Sequence, residues 1–172
     1  MSPCKIILGI KILLFFSLLA TGQSTVEGTV PGPFSTHGRA KETVIGKRIQ
    51  RVVDGDTVIV NGSRIRLLNV DTEESVHPNQ SRNTSFGRET SRAVKKAIQG
   101  KTADLECYGK DRYSRRLCYL FVDGENFNVK LVKQGWSRYY TKFGFSKEYH
   151  DQFIKAEEMG QSHGTGVWDK KE

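Results

Sequence analysis

The dipeptide Asn61-Gly62 lies between two β-branched runs, "TVIV" and "SRIRLLNV". A two-residue hairpin loop of the type I′ kind needs positive φ at both central positions, and Asn-Gly adopts it at least cost. The turn then sets a register in which Val60 faces Ser63 and Asp56 faces about Leu67. Strand signals continue on both sides. "ETVIGKRIQRVV" precedes the hairpin, with Gly46 marking a bulge. "ADLECY" and "RRLCYLFV" form a second pair, joined by the polar "GKDRYS". Five strands result, the middle ones meandering.

Three helical patterns interleave with them. "FGRETSRAVKKAIQG" places Phe86, Thr90, Ala93, Val94, Ala97 and Ile98 on one stripe and stops at Gly100. "NFNVKLVKQG" turns Phe127, Leu131 and Val132 inward and stops at Gly135. "SKEYHDQFIKAEEMG" starts from Ser146 as cap and aligns Tyr149, Phe153 and Ala156. The order is three strands, a helix, two strands and two helices. It predicts a mainly β fold with α (α+β): a five-stranded oligonucleotide-binding-type barrel with three helices packed outside.

The chain has 172 residues, the size of one domain with extensions. Its start is compositionally separate. "MSPCK" is short and positive, "IILGIKILLFFSLLA" is an apolar run broken by Lys11, and "ATG" offers small residues at signal-peptidase spacing. The expectation is a secretory signal over residues 1–22, cleaved after Gly22. An uncleaved membrane anchor is the alternative, disfavoured by the short run and by Lys11. Cys4 precedes the apolar run, whereas a lipid-modified cysteine would follow it. Residues 23–42 are rich in Gly, Pro, Ser and Thr without a period and read as a flexible lead-in. The globular domain is therefore placed at 43–169. Export predicts a secreted or periplasmic location, with no stable membrane association after signal cleavage. The expected state is a monomer.

Formal charge is +8, and loss of Lys5 and Lys11 with the signal still leaves +6. Such a balance argues for a polyanionic partner, the alternative being a basic surface that only confers solubility. Two cysteines remain in the mature chain. Strand alternation turns Cys107 inward with Leu105, and Cys118 inward with Leu120 and Val122, across one hairpin. An oxidising compartment permits a disulfide between Cys107 and Cys118; two buried free thiols are the alternative. Two cysteines and scattered histidines offer no zinc spacing.

The Asn-Gly hairpin carries acids at both ends: Asp54 and Asp56 before it, and Asp71, Glu73 and Glu74 after it. The register puts Asp56 on one face with Leu67, Asn69 and Asp71. Two carboxylates so placed repel, and need a cation or a retained proton. Calcium suits them, because it takes hard oxygen ligands in irregular geometry and accepts a backbone carbonyl such as that of Thr72. Singly, Asp54-Gly55 reads as an ordinary turn and Asp71 as a strand end. Arg66 has the opposite parity, so alternation aims it away from Asp56 unless the rim is twisted or bulged. A second polar cluster, "KDRYSRR", puts Arg112, Tyr113, Arg115 and Arg116 at a hairpin tip. Guanidinium forks grip phosphate oxygens and an aromatic ring stacks on a base. A solvated basic loop is the alternative.

"VVDGDT", "IRLLNVDTEE", "FGRET", "DRYSRRLCY" and "NVKLVKQGW" occur in that order between about Val44 and Trp168. The ordered set closely resembles the thermonuclease, or micrococcal-nuclease-like, family. The resemblance implies a calcium-dependent phosphodiesterase that cleaves DNA and RNA with little sequence preference and leaves 3′-phosphates. By motif position, Asp56, Asp71 and the carbonyl of Thr72 resemble the calcium ligands. Arg66 and Arg115 resemble the two phosphate arginines, and Glu74 the carboxylate that activates or positions the attacking water. Arg112 and Tyr113 fall where the family contacts a terminal phosphate. Two positions depart from the pattern. Glu73 stands in place of a proline, which removes a rigid φ and leaves two adjacent glutamates for one role. Alternation lets only one of them face the site; counted from Asp71 and Thr72, the resemblance implies that it is Glu74, with Glu73 toward solvent. Ser114 stands in place of a glycine, a mild strain if the turn needs positive φ. The rival reading is a catalytically silent barrel that only binds single-stranded nucleic acid. Retention of Asp56, Arg66, Asp71, Glu74 and Arg115 favours the enzyme.

Overall fold

The computed structural model describes residues 41–169, apart from 76–78, 80, 82 and 143. The expected signal segment and nearly all of the lead-in lie outside the described residues. Among the described residues, no helix is long and apolar enough to cross a membrane.

Strand β1 (Glu42–Asp54) is long enough to serve two neighbours. Its second half pairs with β2 (Thr57–Val60), which turns back into β3 (Ser63–Leu67). Asn61 and Gly62 take φ of +48° and +75°, and Val60 lies opposite Ser63, as the dipeptide requires. The turn is tied down by Gly62 N, which donates to Gln50 Oε1 at 2.7 Å. A two-residue strand β4 (Val70–Asp71) follows the turn at Leu68-Asn69. The first half of β1 pairs with β5 (Thr102–Lys110), which forms a hairpin with β6 (Arg116–Val122). Strand β3 then runs parallel beside β6, Leu67 next to Cys118, and closes a five-stranded barrel. Two further two-residue strands, β7 (Glu125–Asn126) and β8 (Arg138–Tyr139), extend β6 and pair with β4. They are too short to leave a period in the sequence.

Helix α1 (Ser85–Ile98) is capped by Thr84, whose Oγ1 accepts from Gly87 N at 2.8 Å. It buries Thr90, Val94 and Ile98 and ends before Gly100, at φ +86°. Helix α2 (Phe127–Lys133) is capped by Asn126, which accepts from the backbone N–H groups of Asn128 and Val129. Helix α3 (Lys147–His163) buries Tyr149, Phe153 and Ala156. Two details correct the sequence reading of α3. Ser146 stands at the cap position but makes no side-chain cap bond, and the helix passes through Gly160 to end at Gly164, φ +61°. Gly160 serves packing instead: a Cβ there would stand 2.7 Å from the carbonyl of Val132 in α2.

The core is apolar apart from a few polar groups, most of them hydrogen-bonded; Thr90 Oγ1 and Asn126 Nδ2 are buried without a partner among the described residues. The Tyr119 hydroxyl donates to Asn69 Oδ1, while Asn69 Nδ2 donates to the carbonyls of Tyr140 (2.9 Å) and Gly144 (2.8 Å). Asn128 Nδ2 donates to the carbonyls of Leu68 (2.9 Å) and Cys118 (3.1 Å). These bonds hold the chain where it leaves β3 for the rim. Cys107 and Cys118 lie directly opposite on β5 and β6, with Cα atoms 4.0 Å apart, and are joined by a disulfide.

Candidate active site

The turn between β1 and β2 has two residues, Gly55 and Asp56, between the paired Asp54 and Thr57. Its acids grip the segment that follows β4. Asp56 Oδ2 accepts from Thr72 N (3.3 Å) and Thr72 Oγ1 (3.4 Å). Asp54 accepts from Ser75 Oγ (2.5 Å) and Ser75 N (3.4 Å). Gly55 makes this possible, since a Cβ there would fall 2.6 Å from Thr72 Oγ1. Neither Asp54 nor Ser75 stands out in the sequence as part of the site; the "DGD" spacing that aims two acids at one neighbouring strand is the available signal.

Arg66 does reach Asp56, against the expectation from alternation. Arg66 Nη1 lies 2.9 Å from Asp56 Oδ2, and Nη2 lies 2.7 Å from Asp71 Oδ1. Nη1 also donates to the carbonyl of Val70 at 2.8 Å. Neither acid lies in the paired β2–β3 hairpin, and Asp71 belongs to β4, opposite Arg138 of β8. Asp56 belongs to the tight turn, and Asn69, at φ +59°, swings Asp71 back over β3. Strand parity therefore does not govern either carboxylate. Burial pushes the Asp56 carboxyl above its ordinary range, with Arg66 and the Thr57 hydroxyl pulling it down. Asp56 is only 9% exposed, whereas the Asp71 side chain is 53% exposed.

Arg115 arrives from the other side of the closed barrel. Its Nη1 donates to Thr57 Oγ1 at 3.3 Å, and that hydroxyl donates to Asp56 Oδ1 at 2.9 Å. Its Nε donates to Asp111 Oδ2 at 2.7 Å. Asp111, which the sequence reading passed over, organises the hairpin tip. Its Oδ1 also accepts from Tyr113 N (2.8 Å) and Arg115 N (2.9 Å), an Asp-centred turn. Burial pushes the Asp111 carboxyl up, but the bonds from Arg115 and Tyr113 outweigh it and hold the group below its ordinary range. Ser114, in the glycine's place, takes φ +61°. Tyr113 is 64% exposed, with Arg112 and Arg115 guanidiniums 4.8 and 5.5 Å from its ring centre.

Asp56, Asp71, Thr72, Arg66 and Arg115 thus converge, with Arg112 and Tyr113 beside Arg115. Glu74 is half-buried and Glu73 exposed. Their backbone lies under the first turn of α1, where Thr84 N donates to the Glu74 carbonyl at 3.0 Å. Among the described residues, no three His, Cys, Asp or Glu side chains form a metal cluster. The two carboxylates bridged by Arg66 nevertheless form a hard-oxygen pair that already holds one cation between them. That donor set fits calcium, which fills its remaining positions with carbonyl, water and substrate oxygens.

Residues 64–170 match the model of the staphylococcal nuclease homologue family. The chain is 31% identical to a thermonuclease of Staphylococcus hyicus, over 95% of this chain and 98% of that protein. It is 34% identical to a thermonuclease of Staphylococcus intermedius, over 81% and 84%. It is also 31% identical to the endonuclease YncB of Bacillus subtilis, over 78% and 66%.

Proposed function

The chain belongs to the staphylococcal nuclease homologue family, and from that premise we propose a calcium-dependent endonuclease of DNA and RNA with little sequence preference. It is a hydrolytic nuclease. The observation that carries the finer reading is the convergence of two guanidiniums on one buried carboxylate: Arg66 directly, and Arg115 through Thr57. A site built only to bind single strands has no need of a cation-bridged carboxylate pair with one member buried.

Asp56, Asp71 and the Thr72 carbonyl would hold the calcium. When bound, calcium supplies a fixed positive charge against a non-bridging phosphate oxygen. The chain's own groups do the rest. Arg66 and Arg115 fork onto the phosphate oxygens and stabilise the charge that attack adds. Glu74 takes the proton of the attacking water or fixes its position. Arg112 and Tyr113 contact a terminal phosphate of the bound nucleotide, and cleavage leaves a 3′-phosphate. The basic surface draws in a substrate that the acids alone would repel. The apolar run of residues 6–20 supports a secreted or periplasmic enzyme.

Digestion of plasmid DNA and of RNA tests this reading. Cleavage with calcium should stop on chelation and return when calcium is restored. The new 3′ ends should resist polymerase extension until a phosphatase treats them. Cleavage that survives chelation, or that prefers magnesium, counts against the metal assignment.

A further inference from the structure

Strand β1 breaks its inside–outside alternation where it pairs with β2, between Ile49 and Val52. Both are buried, while Gln50 and Arg51 between them are both exposed. The cause is a bulge: Ile49 pairs with Val60 and Arg51 with Ile59, so β1 spends one more residue there than β2. Bulges re-aim side chains. Gln50 is used at once, accepting from Gly62 N in the hairpin turn. Arg51 is left on the outer face, opposite Ile59.

Ile59 in turn lies opposite Arg64. One row across the barrel surface therefore reads Arg51, Ile59, Arg64, with the two arginines two strand spacings apart, about 10 Å. Both are exposed, and neither forms an ion pair among the described residues. Arg64 and Arg66 are two residues apart on β3, about 7 Å, and share the face opposite the buried Ile65 and Leu67. The cationic row thus leads directly into the guanidinium that bridges Asp56 and Asp71.

We propose that Arg64 and Arg51 form a phosphate track: a binding site for the non-scissile phosphates of the polynucleotide beyond the bond that is cut. The proposal rests on the nuclease reading for the position of the scissile phosphate at Arg66. The ligand class is the sugar–phosphate backbone, taken without regard to base, because the row offers charge and an aliphatic residue but no base-reading amide. Ile59, half-buried, lies between the two arginines in the row, and an aliphatic residue at that position suits the apolar stems of long cationic side chains.

The test uses the double variant Arg51→Gln/Arg64→Gln, and Lys133→Gln/Lys155→Gln as a control that removes the same charge from α2 and α3. Binding of a labelled single-stranded oligonucleotide is followed by fluorescence anisotropy against salt, with a chelator present so that nothing is cut. Two lost phosphate contacts should reduce the slope of log K against log salt by about 1.4, since each contact contributes about 0.7 on single strands. The control should leave the slope unchanged, and Arg51→Lys/Arg64→Lys should retain it. In calcium, kcat/KM on a long single strand should fall several-fold in the double variant, while a dinucleoside monophosphate, whose sole phosphate is the scissile one, is cut as by the wild type. An unchanged slope, or an equal drop in the control, overturns the track. So does an equal loss on long and short substrates. A wild-type chain that binds but never cuts overturns the nuclease reading instead, and the anisotropy slopes still decide the track.

Discussion

A Cβ on Gly87 would stand 2.7 Å from the carbonyl oxygen of Glu73 and would run into that of Glu74. The missing side chain lets the first turn of α1 press on the segment carrying both glutamates. That contact presents the two acids differently, Glu74 half-buried and Glu73 in solvent. If Glu74 handles the attacking water, Glu74→Gln should lower kcat by roughly 10²–10⁴-fold, while Glu73→Gln stays within a few-fold. Steady-state kinetics on DNA would check this, and the reverse order of damage would move the role to Glu73. The difference between these neighbours is legible in sequence, because adjacent residues on an extended segment point to opposite sides. The bridge from Arg66 to Asp56 was not. Parity predicts contacts only within paired strands, and this bridge joins a strand residue to a turn residue. Asp111 was hidden for a related reason: its bonds run to atoms within four residues, where no periodic signal exists.

Among the elements, the five long strands and three helices could be read from alternation, from the Asn-Gly turn and from the glycine stops. The three two-residue strands could not, and one of them, β4, carries Asp71. Helix caps show the same division. Thr84 and Ser146 are equally good cap residues by type. Only Thr84 makes the bond; the Ser146 side chain caps nothing, and its backbone N–H donates to the Tyr119 hydroxyl at 3.3 Å. Thr84→Ala should cost about 1 kcal/mol of unfolding free energy, and Ser146→Ala about 0.5 kcal/mol or less. Urea titration of the two variants would separate them. Equal losses would mean that Ser146 caps α3 in solution.

At the scale of the molecule, the disulfide sits at the last regular pair of β5 and β6 before the strands fall out of register toward the Asp111 turn. Joining residues so close in sequence should contribute about 2–3 kcal/mol, chiefly by restricting the unfolded chain. Cys107→Ala/Cys118→Ala should lose that amount in denaturant titration. A thiol assay on the denatured, unreduced protein should find neither mature cysteine reactive, and two reactive thiols would rule the bridge out. The parallel seam between β3 and β6 has a different consequence. Asp56, Arg66 and Asp71 come from one half of the chain, while Arg115 comes from beyond α1 and β5. Arg115 is brought to Thr57 and Asp56 by that long-range seam together with the β1–β5 pairing, and contacts of this kind are late and slow. A half-made or half-folded chain therefore has no weak version of the site. Refolding followed by tryptophan emission and by DNA cleavage should give one shared time course, and activity that returned first would contradict this. A chain kept unfolded while it is being made and moved is harmless to the nucleic acid around it, and is armed only by the step that makes it whole.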